Sequence, residues 1–71
     1  MSEMCSTLID RIIELRKESG MTQKELAEAA NLAQPAIARM ENKTATPQID
    51  TLLKILVPLG KTLAVVPLDN Q

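Results

Sequence analysis

The sequence predicts a mainly α fold: four short helices, the second and third joined by a tight turn, and a C-terminal β-strand that pairs with its counterpart in a dimer. Three observations predict it. Apolar residues recur three and four positions apart in separate runs, each opened or closed by a start or stop signal. A capping box stands a few residues ahead of a helix-ending Asn, which leaves only a short turn before the next helix begins. The last apolar run is β-branched instead, and it follows Pro58 and Gly60.

Residues 1–5 read as a flexible N-terminus and 6–59 as the helical domain. From Ser6, the residues Leu8, Ile9, Ile12, Ile13 and Leu15 share one helical face, with Arg11, Glu14, Arg16, Lys17 and Glu18 on the other. Gly20 ends this helix. Thr22-Gln23-Lys24-Glu25 is the capping box: the Thr hydroxyl and the Glu carboxylate each satisfy a backbone N–H that a helix start leaves free. Leu26, Ala29 and Ala30 face inward, and Ala27 is small enough for another helix to cross closely. Asn31 tolerates the left-handed conformation that stops a helix sharply.

Gln34-Pro35 opens the third helix, because a Pro in the first turn lacks an N–H that would be unpaired anyway. Ile37 and Met40 are its buried pair. Asn42 to Ala45 is a polar loop, and Thr46-Pro47 signals a fourth helix carrying Ile49, Leu52, Leu53 and Leu56. Pro58 removes the hydrogen bond to the Lys54 carbonyl, so this helix kinks or stops between Val57 and Leu59. Residues 60–68 then form the strand and 69–71 a tail. A lone strand cannot satisfy its own backbone groups, and four helices offer it no sheet. The simplest remedy is antiparallel pairing across a two-fold axis, with Leu59, Thr62, Leu63, Ala64, Val65 and Val66 at the dimer interface.

Composition bounds the function. Seventy-one residues make one small domain, marginal alone, for which a partner subunit is a natural support. The chain is 45% hydrophobic and 24% charged, as a folded globule is. It has no aromatic residue, which argues against stacking platforms for single-stranded nucleic acid. It has no His and one cysteine, Cys5, so a Cys-cluster zinc site and an internal disulfide are excluded. No nucleophile–base pair is present either, and the chain reads as no enzyme, with no metal and no cofactor. No apolar run is long enough to span a membrane, and nothing resembles a signal peptide. The expectation is a soluble cytoplasmic protein. Its net charge of −1 means that any affinity for nucleic acid must come from local placement.

Two helices joined by a tight turn, Thr22–Ala30 and Gln34–Glu41, match the helix-turn-helix plan, in which the second helix enters the DNA major groove by its N-terminal end. Gln23-x-x-Leu26-Ala27, Leu32-x-Gln34-x-x-Ile37, then Glu41, Pro47 and Thr51-Leu52 resemble the Xre/Cro family of phage-repressor-like DNA-binding domains over about residues 8–57. The resemblance implies a transcriptional repressor bound to double-stranded operator DNA, and with it a nucleoid-associated place in the cell. Thr22 and Gln23 would meet a phosphate at the start of the second helix. Gln34 would bond adenine at N6 and N7, and Pro35, Ala36 and Ala38 would touch thymine methyls. Arg39 would read guanine or hold a phosphate, and Asn42, Lys43 and Thr44 would hold the backbone beyond. Ala33 departs from the family, whose members often carry Ser or Thr there, and Asn31 stands for the usual turn Gly.

Glu41 at a helix C-terminus opposes the macrodipole and calls for a compensating cation. In the family an Arg late in the first helix pairs with this Glu, and Arg16 falls at the matching place. Between Gln34 and Gln48 stand two cations, Arg39 and Lys43, against Glu41, a weak electrostatic footprint that favours a dimer with doubled contacts. The tail from Leu59 to Val66 resembles that of HipB-type antitoxins, which implies a homodimer made by a short intermolecular sheet, repression of its own operon, and a HipA-like kinase toxin as partner. The alternatives are a phage or restriction–modification regulator without a toxin, and a protein-interaction module on the same scaffold.

Overall fold

The structure is a computed structural model, and it describes residues 1–68. Helix α1 spans Glu3–Glu18, α2 Gln23–Ala29, α3 Gln34–Glu41 and α4 Ile49–Leu56, and a 3-10 turn follows at Val57–Leu59. The four helices and the pivot at Asn31 follow the sequence pattern. Helix α1 starts earlier than the apolar periodicity indicates. Ser2 Oγ accepts a hydrogen bond from the Cys5 amide at 3.1 Å, and Glu3 sits in the first turn, where its charge complements the dipole. Residues Glu3 to Cys5 are therefore helical rather than a loose terminus.

Helices α1, α2 and α3 and the 3-10 turn that continues α4 end by the same device. A residue takes a left-handed backbone, and its own amide and the next reach back to the last open carbonyls. Gly20 (φ +73°) does this after α1 and Gly60 (φ +72°) after the 3-10 turn. Asn31 (φ 58°) does it after α2, with Leu32 N–H bonded to the Ala27 carbonyl at 2.8 Å. Lys43 (φ 64°) does it after α3, with Thr44 N–H on the Arg39 carbonyl at 3.0 Å. Starts are more varied. Thr22 and Glu25 form the full capping box, at 3.0 Å and 2.9 Å. Ala33 and Gln48 cap α3 and α4 with no side-chain bond, and α4 begins two residues beyond Pro47. Thr22→Ala is expected to cost about 1 kcal/mol. That is a fall of roughly 4–8 °C in melting temperature by far-ultraviolet ellipticity.

The core is wholly apolar. Ile9 and Ile12 from α1 meet Leu26 and Ala27 from α2, Ile37 and Met40 from α3, and Leu52, Ile55 and Leu56 from α4, with Ala30 and Leu59 closing the edges. Ala27 is almost fully buried, which lets α2 and α3 approach closely. No polar residue belongs to this core among the described residues.

The tail departs from the sequence expectation. Among the described residues there is no strand: the segment 61–68 is irregular and forms no ladder. The β-branched composition supplies strand propensity, but a strand needs a partner edge, and one chain of helices provides none. Leu59, expected at an interface, is buried in the chain's own core, and Leu63 is half-buried against that core. Thr62, Ala64, Val65 and Val66 are exposed. Residues 69–71 lie outside the described residues.

Candidate nucleic-acid interface

Helix α3 is divided by its own periodicity. Ile37 and Met40 point into the core. Gln34, Pro35 and Arg39 are exposed, and Ala36 is half-buried beside them. Arg39 makes no ion pair among the described residues, and its aliphatic stem lines a shallow groove with Ala36, Gln48 and Thr51 between α3 and the start of α4. Ala38, one turn beyond Gln34, is half-buried and lines a second cleft shared with α1.

That second cleft holds a three-residue cluster. Arg16 Nε donates to Glu41 Oε2 at 2.6 Å and Arg16 Nη2 to Glu41 Oε1 at 2.9 Å, a two-pronged bridge from α1 to α3. Arg16 Nη1 donates to the Met21 carbonyl at 2.8 Å and so fixes the turn between α1 and α2. Gln23 Nε2 donates to Glu41 Oε1 at 3.0 Å. The two charged side chains are 11% and 7% exposed. Burial opposes ionisation of Glu41, but hydrogen bonds from Arg16 and Gln23, with the charges of Arg16 and Lys17, outweigh it and hold the carboxyl below its ordinary range. The hydrogen bond to Glu41 raises Arg16 against the cost of its own burial.

The other predicted residues are largely engaged within the chain. The Thr22 hydroxyl is taken by its cap. Asn42 Oδ1 accepts from the Thr44 amide at 3.1 Å and from the Thr44 hydroxyl at 2.6 Å, so these two shape the loop after α3. Lys43 Nζ lies 2.7 Å from Asp10 Oδ1 on α1, which turns this cation away from the row on α3. The structure therefore gathers Gln34, Pro35 and Arg39 on one face, sets Gln23 beside Arg16 and Glu41, and closes Asn42 and Thr44 on each other. Sequence reasoning missed Asp10 as the partner of Lys43 and Gln23 as the third member of the cluster. Both are contacts between distant segments, for which local spacing carries no signal. Lys17, on the polar face of α1, lines the same cleft.

Two helices pivoting at a left-handed Asn, the second with its inner face anchored and its outer face unengaged, define a helix-turn-helix protein. The chain belongs to the helix-turn-helix family, whose model matches residues 12–66. It is 46% identical over 67 residues to an uncharacterized HTH-type transcriptional regulator of Haemophilus influenzae, covering 94% of this chain and 68% of that protein. It is 35% identical over 54 residues to the HTH-type transcriptional regulator PuuR of Escherichia coli, covering 76% of this chain but only 29% of PuuR. Among solved structures it is similar to a chain of a toxin–antitoxin module from Streptococcus pneumoniae, with 51% identity and a TM-score of 0.77 over 94% of this chain and 74% of that one.

Proposed function

We propose that this chain is a homodimeric, sequence-specific double-stranded-DNA-binding repressor, and that it is the antitoxin of a toxin–antitoxin module repressing its own operon. The observation that carries the reading is the outer surface of α3: Gln34, Pro35 and Arg39 are exposed, and the Gln34 and Arg39 side chains make no bond among the described residues, while Ile37 and Met40 anchor the helix beneath them. A rigid helix with a free amide and a free guanidinium is what major-groove readout requires. In this reading Gln34 bonds adenine, Arg39 reads guanine or holds a phosphate, and Pro35 and Ala36 meet thymine methyls. Gln23 contacts a phosphate at the start of α2.

The dimer reading rests on the tail. Thr62, Ala64, Val65 and Val66 are exposed, and Ala64 and Val65 lie beside Ile49 and Leu53, an exposed apolar patch of α4. A second copy pairing through 61–66 would satisfy those backbone groups and space two α3 helices for half-sites about 34 Å apart. Val65→Asp is expected to keep the helical far-ultraviolet spectrum and to convert a dimer to a monomer in sedimentation velocity, with a lower melting temperature as the support of the second copy is lost. A wild-type chain that sediments as a monomer at all concentrations overturns the dimer.

The antitoxin assignment is supported by the Streptococcus pneumoniae neighbour. Its expected partner is a toxin, a HipA-like kinase if the tail resemblance holds. A regulator without a toxin is the competing reading, and the name of the Haemophilus influenzae relative, a transcriptional regulator, fits both. The test is fluorescence anisotropy of a labelled duplex from upstream of the chain's own gene, against a scrambled duplex, at two salt concentrations. Salt-sensitive binding to the native duplex alone supports the repressor, and equal binding to both opposes it. Co-purification of a toxin from the native host separates the two regulators.

A further inference from the structure

We infer that Glu41 is a positioning residue for DNA binding: its carboxylate holds the Gln23 side-chain amide in the one orientation that presents an N–H to a DNA phosphate. The inference rests on the proposed DNA-binding reading and adds to it a role for a residue that reading treats as structural.

The argument starts from what the carboxylate binds. Arg16 takes both Glu41 oxygens, which already balances its charge. Oε1 nevertheless accepts a second hydrogen bond, from Gln23 Nε2 at 3.0 Å. A free Gln at a helix start turns its amide at no cost, so oxygen and nitrogen would face a phosphate equally often, and only the nitrogen can donate. A carboxylate accepts and never donates, so it selects the nitrogen and fixes the amide plane. One Nε2 proton is then used by Glu41 and the second remains free.

Gln23 lines an open cleft in which Arg16 and Glu41 balance each other and Lys17 leaves the surroundings net positive. The frame is rigid. The capping box fixes the residue before Gln23, and Arg16 holds the preceding Met21 carbonyl. Two other amides give a comparison within the molecule: Gln34 and Gln48 are exposed and make no side-chain hydrogen bond among the described residues.

The test replaces the ion pair by apolar residues. In Arg16→Met/Glu41→Leu the net charge is unchanged and the fold is retained, because a nearly buried pair exchanged for packed apolar side chains is close to neutral. Duplex affinity is measured by anisotropy over a series of salt concentrations, with Gln23→Ala made in both backgrounds. The expected result is about a tenfold loss for Gln23→Ala in the wild type, as for a hydrogen bond to a charged group. The paired substitution loses as much, and Gln23→Ala then adds nothing to it. The salt slope stays the same, since a neutral donor releases no counterion.

Three results overturn the inference: equal losses from Gln23→Ala in both backgrounds, no loss in the wild type, or a slope lowered by about one, which would make Arg16 itself the phosphate contact. A wild type that binds no duplex removes the DNA-binding reading and this role together. A second measurement needs no variant. In the free protein the Gln23 side-chain amide should show a nuclear-relaxation order parameter near the rigid value of about 0.85, and Gln34 and Gln48 values below about 0.6. A Gln23 amide as mobile as those two also overturns it.

Discussion

Glu41→Ala should lower the melting temperature by roughly 12–24 °C, the equivalent of about 3 kcal/mol in a domain of this size. The cost comes less from the lost attraction than from what is left behind. Arg16, only 11% exposed, would keep its charge with the Met21 carbonyl as its one remaining acceptor. Gln23 would lose its acceptor too. The lower end of the range for broken buried pairs applies because the cluster sits at the rim of the core. Against a total stability of roughly 4–11 kcal/mol for this length, the loss is a large fraction. A loss below about 0.5 kcal/mol, the range of ordinary surface substitutions, would show the pair to be uncoupled.

The same group sets an acid limit. The Glu41 carboxyl is held below its ordinary range, so near pH 4 the unfolded chain binds more protons than the folded one. The resulting stability is complete above the unfolded value of about 4.3 and is lost as pH falls through the lower folded value. Wild-type melting temperature should therefore drop as pH falls below about 4 more steeply than that of Glu41→Ala. Parallel curves would assign the acid sensitivity to other carboxylates.

Arg39→Ala should weaken binding to the native duplex by about 1–3 kcal/mol per contacted base pair while leaving the melting temperature almost unchanged. The side chain is exposed and has no ion-pair partner among the described residues, so its removal uncovers nothing in the fold. Its mode of contact is readable in the same titration. A phosphate contact lowers the salt slope by about one and weakens all sequences alike. A base contact relaxes preference at one position of each half-site. A variant that binds as the wild type does would remove Arg39 from the interface.

The parts of this fold that were legible in the sequence are those whose physics is local. Thr22 and Glu25 satisfy each other within one turn, and Asn31 supplies its own left-handed backbone, so the two central helices and the pivot between them could be read directly. Ile9, Ile12, Leu26, Ile37, Met40 and Leu52 follow the helical period and are all buried. The early start of α1 was missed because Glu3, Met4 and Cys5 carry no apolar stripe, and only the Ser2 cap announces the helix. Lys43 gave no sign of its left-handed backbone, a conformation that Gly or Asn adopts more readily. The tail was misread because Thr62, Val65 and Val66 report a propensity, whereas a strand is a relation between two segments. In the candidate interface the outer row of α3 was legible from spacing. The engagement of Lys43 with Asp10 and of Gln23 with Glu41 was not, because each joins segments far apart in the chain.

The clamp of Arg16 on Glu41 joins residues 25 positions apart, whereas the helices and their caps are built from neighbours. Helices of this length form within about a microsecond, long before α1 and α3 have docked. The clamp closes only after docking, so it contributes little to the rate at which the domain assembles. It acts instead on the reverse step, as a latch that must release before α1 can leave α3. A small domain rich in local contacts folds fast and, without such a latch, opens often. Here the last turn of α1 and the last turn of α3 are locked together, and the lifetime of the folded chain rests on that lock.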